Sequence, residues 1–132
     1  MITGTYCSFE LCKLLKNNGF NEPVRQYYDL NGNICAKYIE PSEPLNNETY
    51  VKCPTYEIVA DWLLENYSFH IELEAYPHED GCFYWFYKIM HLRKDCVFGY
   101  FKIHQKSGFN TKYDALDNAY TYILSNLKIE NE

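Results

Sequence analysis

Apolar and polar positions change period several times along the chain, and each change marks an element. From Ser8 to Asn18, Leu11, Leu14 and Leu15 recur at helical spacing with Cys12 beside them, which predicts an amphipathic helix. Ser8 suits the N-cap, Glu10 suits the positive N-terminal end, and Gly19 stands where a left-handed residue ends a helix. Phe20 then turns back toward the core. The runs 25–30 and 34–39 are β-prone and flank Asn31-Gly32-Asn33, a strong local signal for a hairpin. Residues 40–54 hold three Pro and few apolar positions and read as a long loop.

A second helix is predicted over 55–66. Pro54 and Thr55 mark its start, Glu57 lies in its first turn, and Ile58, Val59, Trp62 and Leu63 form its buried stripe. Phe69, Ile71, Leu73 and Ala75 then alternate with His70, Glu72, Glu74 and Tyr76, the pattern of a half-buried strand. Residues 77–81 read as a turn. The run 82–90 is apolar on both faces, as a central strand is: Phe83, Trp85, Tyr87 and Ile89 on one, Tyr84, Phe86 and Met90 on the other. A polar turn follows over 91–95, then a third strand over 96–104 with Gly99 as a bulge or close contact. The final helix is predicted over 111–127. Thr111 and Asp114 resemble a capping box with a shorter acid, and Leu116, Ala119, Tyr120, Ile123, Leu124 and Leu127 form its stripe. The element order is α-ββ-α-βββ-α. It predicts an α+β fold in which three helices accompany an antiparallel sheet made of an N-terminal hairpin and a three-strand meander.

Length and composition make this one domain, 1–132, large enough to bury a core without a disulfide or metal staple. Apolar residues are 47% and charged residues 23%, which is ordinary, but the aromatic share is 18% with Tyr 14. The net charge of −6 weighs against a nucleic-acid partner held by broad phosphate neutralisation. Six Cys stand at 7, 12, 35, 53, 82 and 96 with no C-x-x-C pair. The start of the chain has no signal-peptide pattern, and no run approaches the ~18 apolar residues of a membrane span. These features predict a cytoplasmic protein with reduced thiols, no membrane segment, no metal and no cofactor. Cys12 and Cys35 are expected to act as small apolar core residues.

Tests for catalytic chemistry return little. No Gly-rich phosphate loop and no nucleophile motif occurs, so no catalytic residue is assigned. Glu72 with Glu74, and His78 with Glu79 and Asp80, read as solvated acids rather than a glycosidase pair or an ion site. Val97 to Ile103 partly matches the aromatic strand of an RNA-recognition sheet. The preceding basic residue and the βαββαβ order are both missing. Lys88, Arg93, Lys94 and the basic positions between Lys102 and Lys106 form a local solvated cluster. The aromatic excess remains. Tyr84 and Phe86 are expected on the second face of the meander, with Phe98 and Tyr100 beside them from the next strand. Either the first helix or the hairpin covers that face, or it is an exposed patch for a protein partner or for self-association as a homodimer.

Three segments carry a resemblance: Ser8-Phe9-Glu10-Leu11 through Lys16-Asn17-Asn18-Gly19-Phe20, then Pro54-Thr55-Tyr56-Glu57 with Trp62-Leu63, then Tyr113-Asp114-Ala115. Their order resembles small uncharacterised proteins of phages, prophages and mobile elements in Bacteroides-type gut bacteria. The resemblance spans residues 8–127 and brings no catalytic residues. It implies an accessory, non-catalytic role through protein–protein contact. One variant is an acidic anti-defence inhibitor occupying the basic groove of a host nuclease. The alternative class is a small-ligand or nucleotide-binding protein that uses the aromatic sheet face for stacking.

Overall fold

The computed structural model describes residues 6–35, 50–92 and 100–126, with 100–102 described by their backbone alone. The fold class is α+β, with three helices and two separate three-stranded antiparallel sheets among the described residues.

Helix α1 spans Phe9–Asn17. Ser8 caps it in an extended conformation, its Oγ accepting the Leu11 N–H at 3.3 Å. The helix ends at Asn18. Gly19 follows with φ +87°, its N–H donating to Lys16 O and the Phe20 N–H to Leu15 O. This closes orphan carbonyls by a Schellman arrangement. The reversal brings Phe20 edge-on to Trp62, with ring centroids 5.2 Å apart.

Strands β1 (Tyr27–Asp29) and β2 (Ile34–Cys35) form the predicted hairpin. The Asp29 carboxylate accepts the N–H groups of Asn31 and Asn33 at 2.9 and 3.0 Å and shapes the turn. Gly32 takes φ +85° there. The predicted loop over 40–54 needs correction at its end. Tyr50–Lys52 is a strand, β3, paired antiparallel to β1, so the sheet order is β2-β1-β3. Three residues beside a Pro carry too little alternation to read as a strand, and only the partner strand defines them. The rest of that loop, and residues 36–39 of the predicted second strand, lie outside the described residues.

Helix α2 spans Tyr56–Tyr67, capped by Thr55 Oγ1 on the Ile58 N–H and closed by Ser68 in the left-handed region. Strands β4 (Phe69–Pro77), β5 (Phe83–Leu92) and β6 (Tyr100–Phe109) form the meander in that order. The predicted turn over 91–95 is corrected at its start, since His91 and Leu92 continue β5. The predicted third strand over 96–104 is also displaced: β6 runs on to Phe109, while 93–99, with Phe98 and Gly99, lie outside the described residues. Its polar stretch Gln105-Lys106-Ser107 resembles a loop in sequence. An edge strand tolerates such residues because one flank faces water.

Helix α3 spans Lys112–Asn126, with Thr111 Oγ1 accepting the Asp114 N–H at 3.1 Å. It packs on β4, β5 and β6 with one side and on α1 and α2 with the others, while α1 also packs on β3. The core gathers Leu11, Leu15, Val59, Leu63, Tyr87, Ile89, Ala119, Tyr120 and Ile123, all buried. No helix among the described residues is long and apolar enough to cross a membrane.

Candidate functional site

The register of β4 and β5 decides which residues share the outer face of the meander. Pairing Phe69 with His91, Ile71 with Ile89, Leu73 with Tyr87 and Ala75 with Trp85 places those residues on the helix side. The alternate set, His70, Glu72, Glu74 and Tyr76 with Met90, Lys88, Phe86 and Tyr84, faces away. Tyr84 and Phe86 therefore share the outer face, as the alternation predicts, and both are half-exposed. The structure adds Tyr76, whose ring centroid lies 6.2 Å from that of Tyr84 and 5.8 Å from that of Phe86. Tyr76 sits in the polar half of the β4 alternation, and only cross-strand pairing reveals it as part of the cluster. Of the two remaining predicted residues, Phe98 lies outside the described residues. Tyr100 pairs through its backbone with Leu92, beyond the far end of the cluster.

The turn that joins the strands holds this end of the hairpin in shape. Asp80 Oδ1 accepts the Cys82 N–H at 2.9 Å, and the Tyr84 hydroxyl donates to Asp80 Oδ2 at 2.7 Å. The hydrogen bond from Tyr84 holds the Asp80 carboxyl below its usual range and raises the Tyr84 hydroxyl in return. His78 stands edge-on to Tyr84 at 5.3 Å. On the helix side, Phe83 was expected in the core, yet it is 69% exposed, and Ala75 is exposed too. The hairpin extends past the helices, so the alternation aims Phe83 inward where no core remains to receive it. The outer middle of the sheet is polar: Glu72 faces Lys88 across the strands, and Lys88 reaches over the Phe86 ring at 5.9 Å. Helix α1 lies against β3 and α3.

A second cluster lies beneath the N-terminus of α1. The Cys7 carbonyl accepts the thiols of Cys12 and Cys53 at 3.7 and 3.5 Å and the Tyr28 hydroxyl at 2.9 Å. Cys7, Cys12 and Cys53 are buried and free. Burial pushes the Cys7 thiol far above its ordinary range, and the hydrogen bond to Cys53 together with burial does so for Cys12. The Cys7 and Cys12 thiols are therefore inert packing groups with a weak donor, whereas hydrogen bonds from Cys12, Tyr28 and Gln26 hold the Cys53 thiol below its ordinary range against the opposing effect of burial. Cys12 thus takes the core role expected of it, while Cys35 is half-buried at the edge of the core. Nearby, Asp117 Oδ2 accepts both the Ser8 hydroxyl at 2.7 Å and the Tyr56 hydroxyl at 3.0 Å. One carboxylate thereby joins the starts of α1 and α2 to the middle of α3. Among the described residues, no group of three His, Cys, Asp or Glu is arranged to hold a metal ion.

A concave site lies elsewhere. A groove of about 410 Å³ lies between α2, β4 and the start of α3. Leu64, Ile71, Leu73 and Leu116 supply apolar surface, and Glu57, Asp61, His70 and Lys112 stand around it. Tyr56 forms one wall, its ring stacked between Tyr113 at 5.4 Å and Tyr120 at 6.2 Å. Sequence reading missed this groove, because its lining is divided between α2 with β4 and the distant α3, and no single stripe along the chain contains it. The groove opens on the helix side of the meander, away from the aromatic outer face. No protein-family model matches the chain, and no curated protein or solved structure matches it either.

Proposed function

We propose that this protein acts without catalysis, by binding another protein through the aromatic end of the β4–β5 hairpin. The observation that carries this reading is the position of the rings. Tyr76, Tyr84 and Phe86 cluster on one face, and Phe83 is 69% exposed on the other, on a hairpin end that the helices do not cover. Large apolar rings grouped at an exposed site mark an interface more often than they serve a monomer. Tyr offers broad contact with a polar tip and little entropy to lose. The Asp80–Tyr84 hydrogen bond holds the turn in one conformation before any partner arrives, which lowers the ordering cost of association. The order of sequence motifs supports a phage or mobile-element setting for this role, and the composition of the chain, without a membrane-span pattern, supports a cytoplasmic location.

The test compares the wild type with a Phe83→Ser, Phe86→Ser double variant. Light scattering after size-exclusion chromatography, over a wide concentration range, shows whether the hairpin end joins two copies. If the wild type stays monomeric, immobilised protein is used to capture partners from cell lysate. The expected result is that either the dimer or the captured set disappears in the variant while its circular dichroism is unchanged. Identical behaviour of the two proteins in both assays would remove the hairpin end as the binding surface.

A further inference from the structure

The backbone of β4 shows which of its groups are turned toward the open edge. At one end the Leu92 N–H donates to Ser68 O at 2.8 Å, and at the other the His78 N–H donates to Cys82 O at 2.9 Å. Between these bonds the register runs unbroken from Phe69↔His91 to Pro77↔Phe83. Antiparallel pairs alternate between hydrogen-bonded and non-hydrogen-bonded. The even-numbered residues therefore bond to β5, and Phe69, Ile71, Leu73 and Ala75 turn their N–H and C=O groups away from it. In the order β4-β5-β6, β4 is an edge strand among the described residues.

The same parity governs the side chains. Ile71 and Leu73 point to the helix side, where they line the groove with Leu64 and Leu116. The groove is bounded by β4 and the two helices, so it runs beside the edge rather than over the middle of the sheet. A strand added to β4 would bond to the backbones of Ile71 and Leu73, and the side chains opposite them would enter the groove. Its intervening side chains would lie on the outer face next to His70, Glu72 and Glu74, all exposed.

Charge selects the occupant. Glu72 and Glu74 flank the outer side of the edge, and Glu57 and Asp61 stand on the α2 rim of the groove. Against them are set Lys112 on the rim and Lys88 across the strand from Glu72, with the His70 imidazole beside them. The chain as a whole carries −6. A second copy pairing its own β4 antiparallel here would bring Glu72 and Glu74 against Glu72 and Glu74, and like charges on facing strands destabilise the pair. We propose that the β4 edge and its groove bind an extended segment of another protein as an added strand, and that this segment alternates apolar residues, seated in the groove, with basic residues facing Glu72 and Glu74. This surface is separate from the hairpin end, and neither reading depends on the other.

The probe is a fluorescein-labelled octapeptide alternating valine and lysine, titrated with the intact protein and followed by fluorescence anisotropy. Saturable binding is expected. Two N-methylated versions separate strand addition from general attraction to an acidic protein. Methylation of the valine amides blocks the bonds to Ile71 and Leu73 and is expected to weaken binding by about tenfold or more, whereas methylation of the lysine amides, which face away, is tolerated. A Glu72→Lys, Glu74→Lys double variant alters only exposed positions. It is expected to lose affinity for the lysine probe by about tenfold or more and to gain it for a valine–glutamate probe. Three outcomes overturn the proposal. One is no saturable binding to the wild type. Another is equal sensitivity to both methylation patterns. The third is binding that Ala60→Phe abolishes by filling the groove while valine methylation leaves it intact, which would make the groove a small-molecule pocket.

Discussion

At the residue scale, burial has changed the chemistry of side chains that look reactive in the sequence. Six Cys in a short chain invite readings of disulfides or metal, yet Cys7, Cys12 and Cys53 are buried, and the thiols of Cys12 and Cys53 donate to the Cys7 carbonyl. Cys82 stands exposed in the hairpin turn. Iodoacetamide at mildly alkaline pH is therefore expected to label Cys82 quickly and the three buried thiols only after urea unfolding. Mass spectrometry of tryptic peptides reads this directly, and early labelling of Cys12 would contradict the packing described. The tyrosines set an alkaline limit in the same way. Burial pushes the Tyr87 hydroxyl from 10.0 up to about 12, and Tyr56 and Tyr120 are raised as well, chiefly by burial. The unfolded chain loses these protons first, so the contribution of Tyr87 is complete below pH 10.0 and lost as pH rises through about 12, while Tyr56 and Tyr120 act in the same direction. Urea midpoints should fall steeply across that window. A Tyr87→Phe variant should fall less steeply over it.

At the element scale, the ends of the helices and the tight turns were legible because capping chemistry is local. Ser8, Thr55 and Thr111 all cap as their positions predict. Gly19 and Gly32 occupy left-handed conformations that the sequence marks with Asn-Gly and Gly-Phe junctions. The two glycines should still respond differently to alanine. A Cβ at Gly19 meets nothing within 4 Å, whereas at Gly32 it meets the Phe9 ring at 3.0 Å. Gly19→Ala is expected to cost about 1 kcal/mol through its backbone alone. Gly32→Ala should cost more, since the ring must also move. Chemical denaturation of both variants checks the order, and equal losses would mean that the Phe9 ring moves aside freely. Strand β3 and the late course of β6 were not legible. A three-residue strand carries no period to detect, and a polar edge strand shares its composition with loops. Both are defined by hydrogen bonds to residues far away in the chain.

At the scale of the whole molecule, α3 packs both on the meander and on α1, and so ties the two halves of the chain together alongside α2. Asp117 is the polar part of that junction. Replacing it with alanine strands the Ser8 and Tyr56 hydroxyls in partly buried positions and is expected to cost about 1–3 kcal/mol. Urea unfolding measures this, and a loss within about 0.5 kcal/mol, the range of an ordinary surface change, would show that the carboxylate is not part of the junction. The candidate sites exist only at this scale. Strand alternation puts Tyr84 and Phe86 on one face of β5, but their neighbour Tyr76 depends on the β4–β5 register. The groove depends on three elements meeting, and the open backbone of β4 depends on which strand lies at the edge.

The sequence by itself determined the three helices, the hairpin at Asn31-Gly32-Asn33, the alternation that gives β4 an inner and an outer face, and the α+β class. Each of these is encoded within a few residues, where spacing and capping act directly on the backbone. Tertiary structure alone decided that the strands divide into two sheets rather than joining into one. It also decided that Phe83 projects past the core and that Cys7, Cys12 and Cys53 converge. Those outcomes follow from burial and from hydrogen bonds between distant segments, which depend on how elements meet in space and leave no periodic trace along the chain.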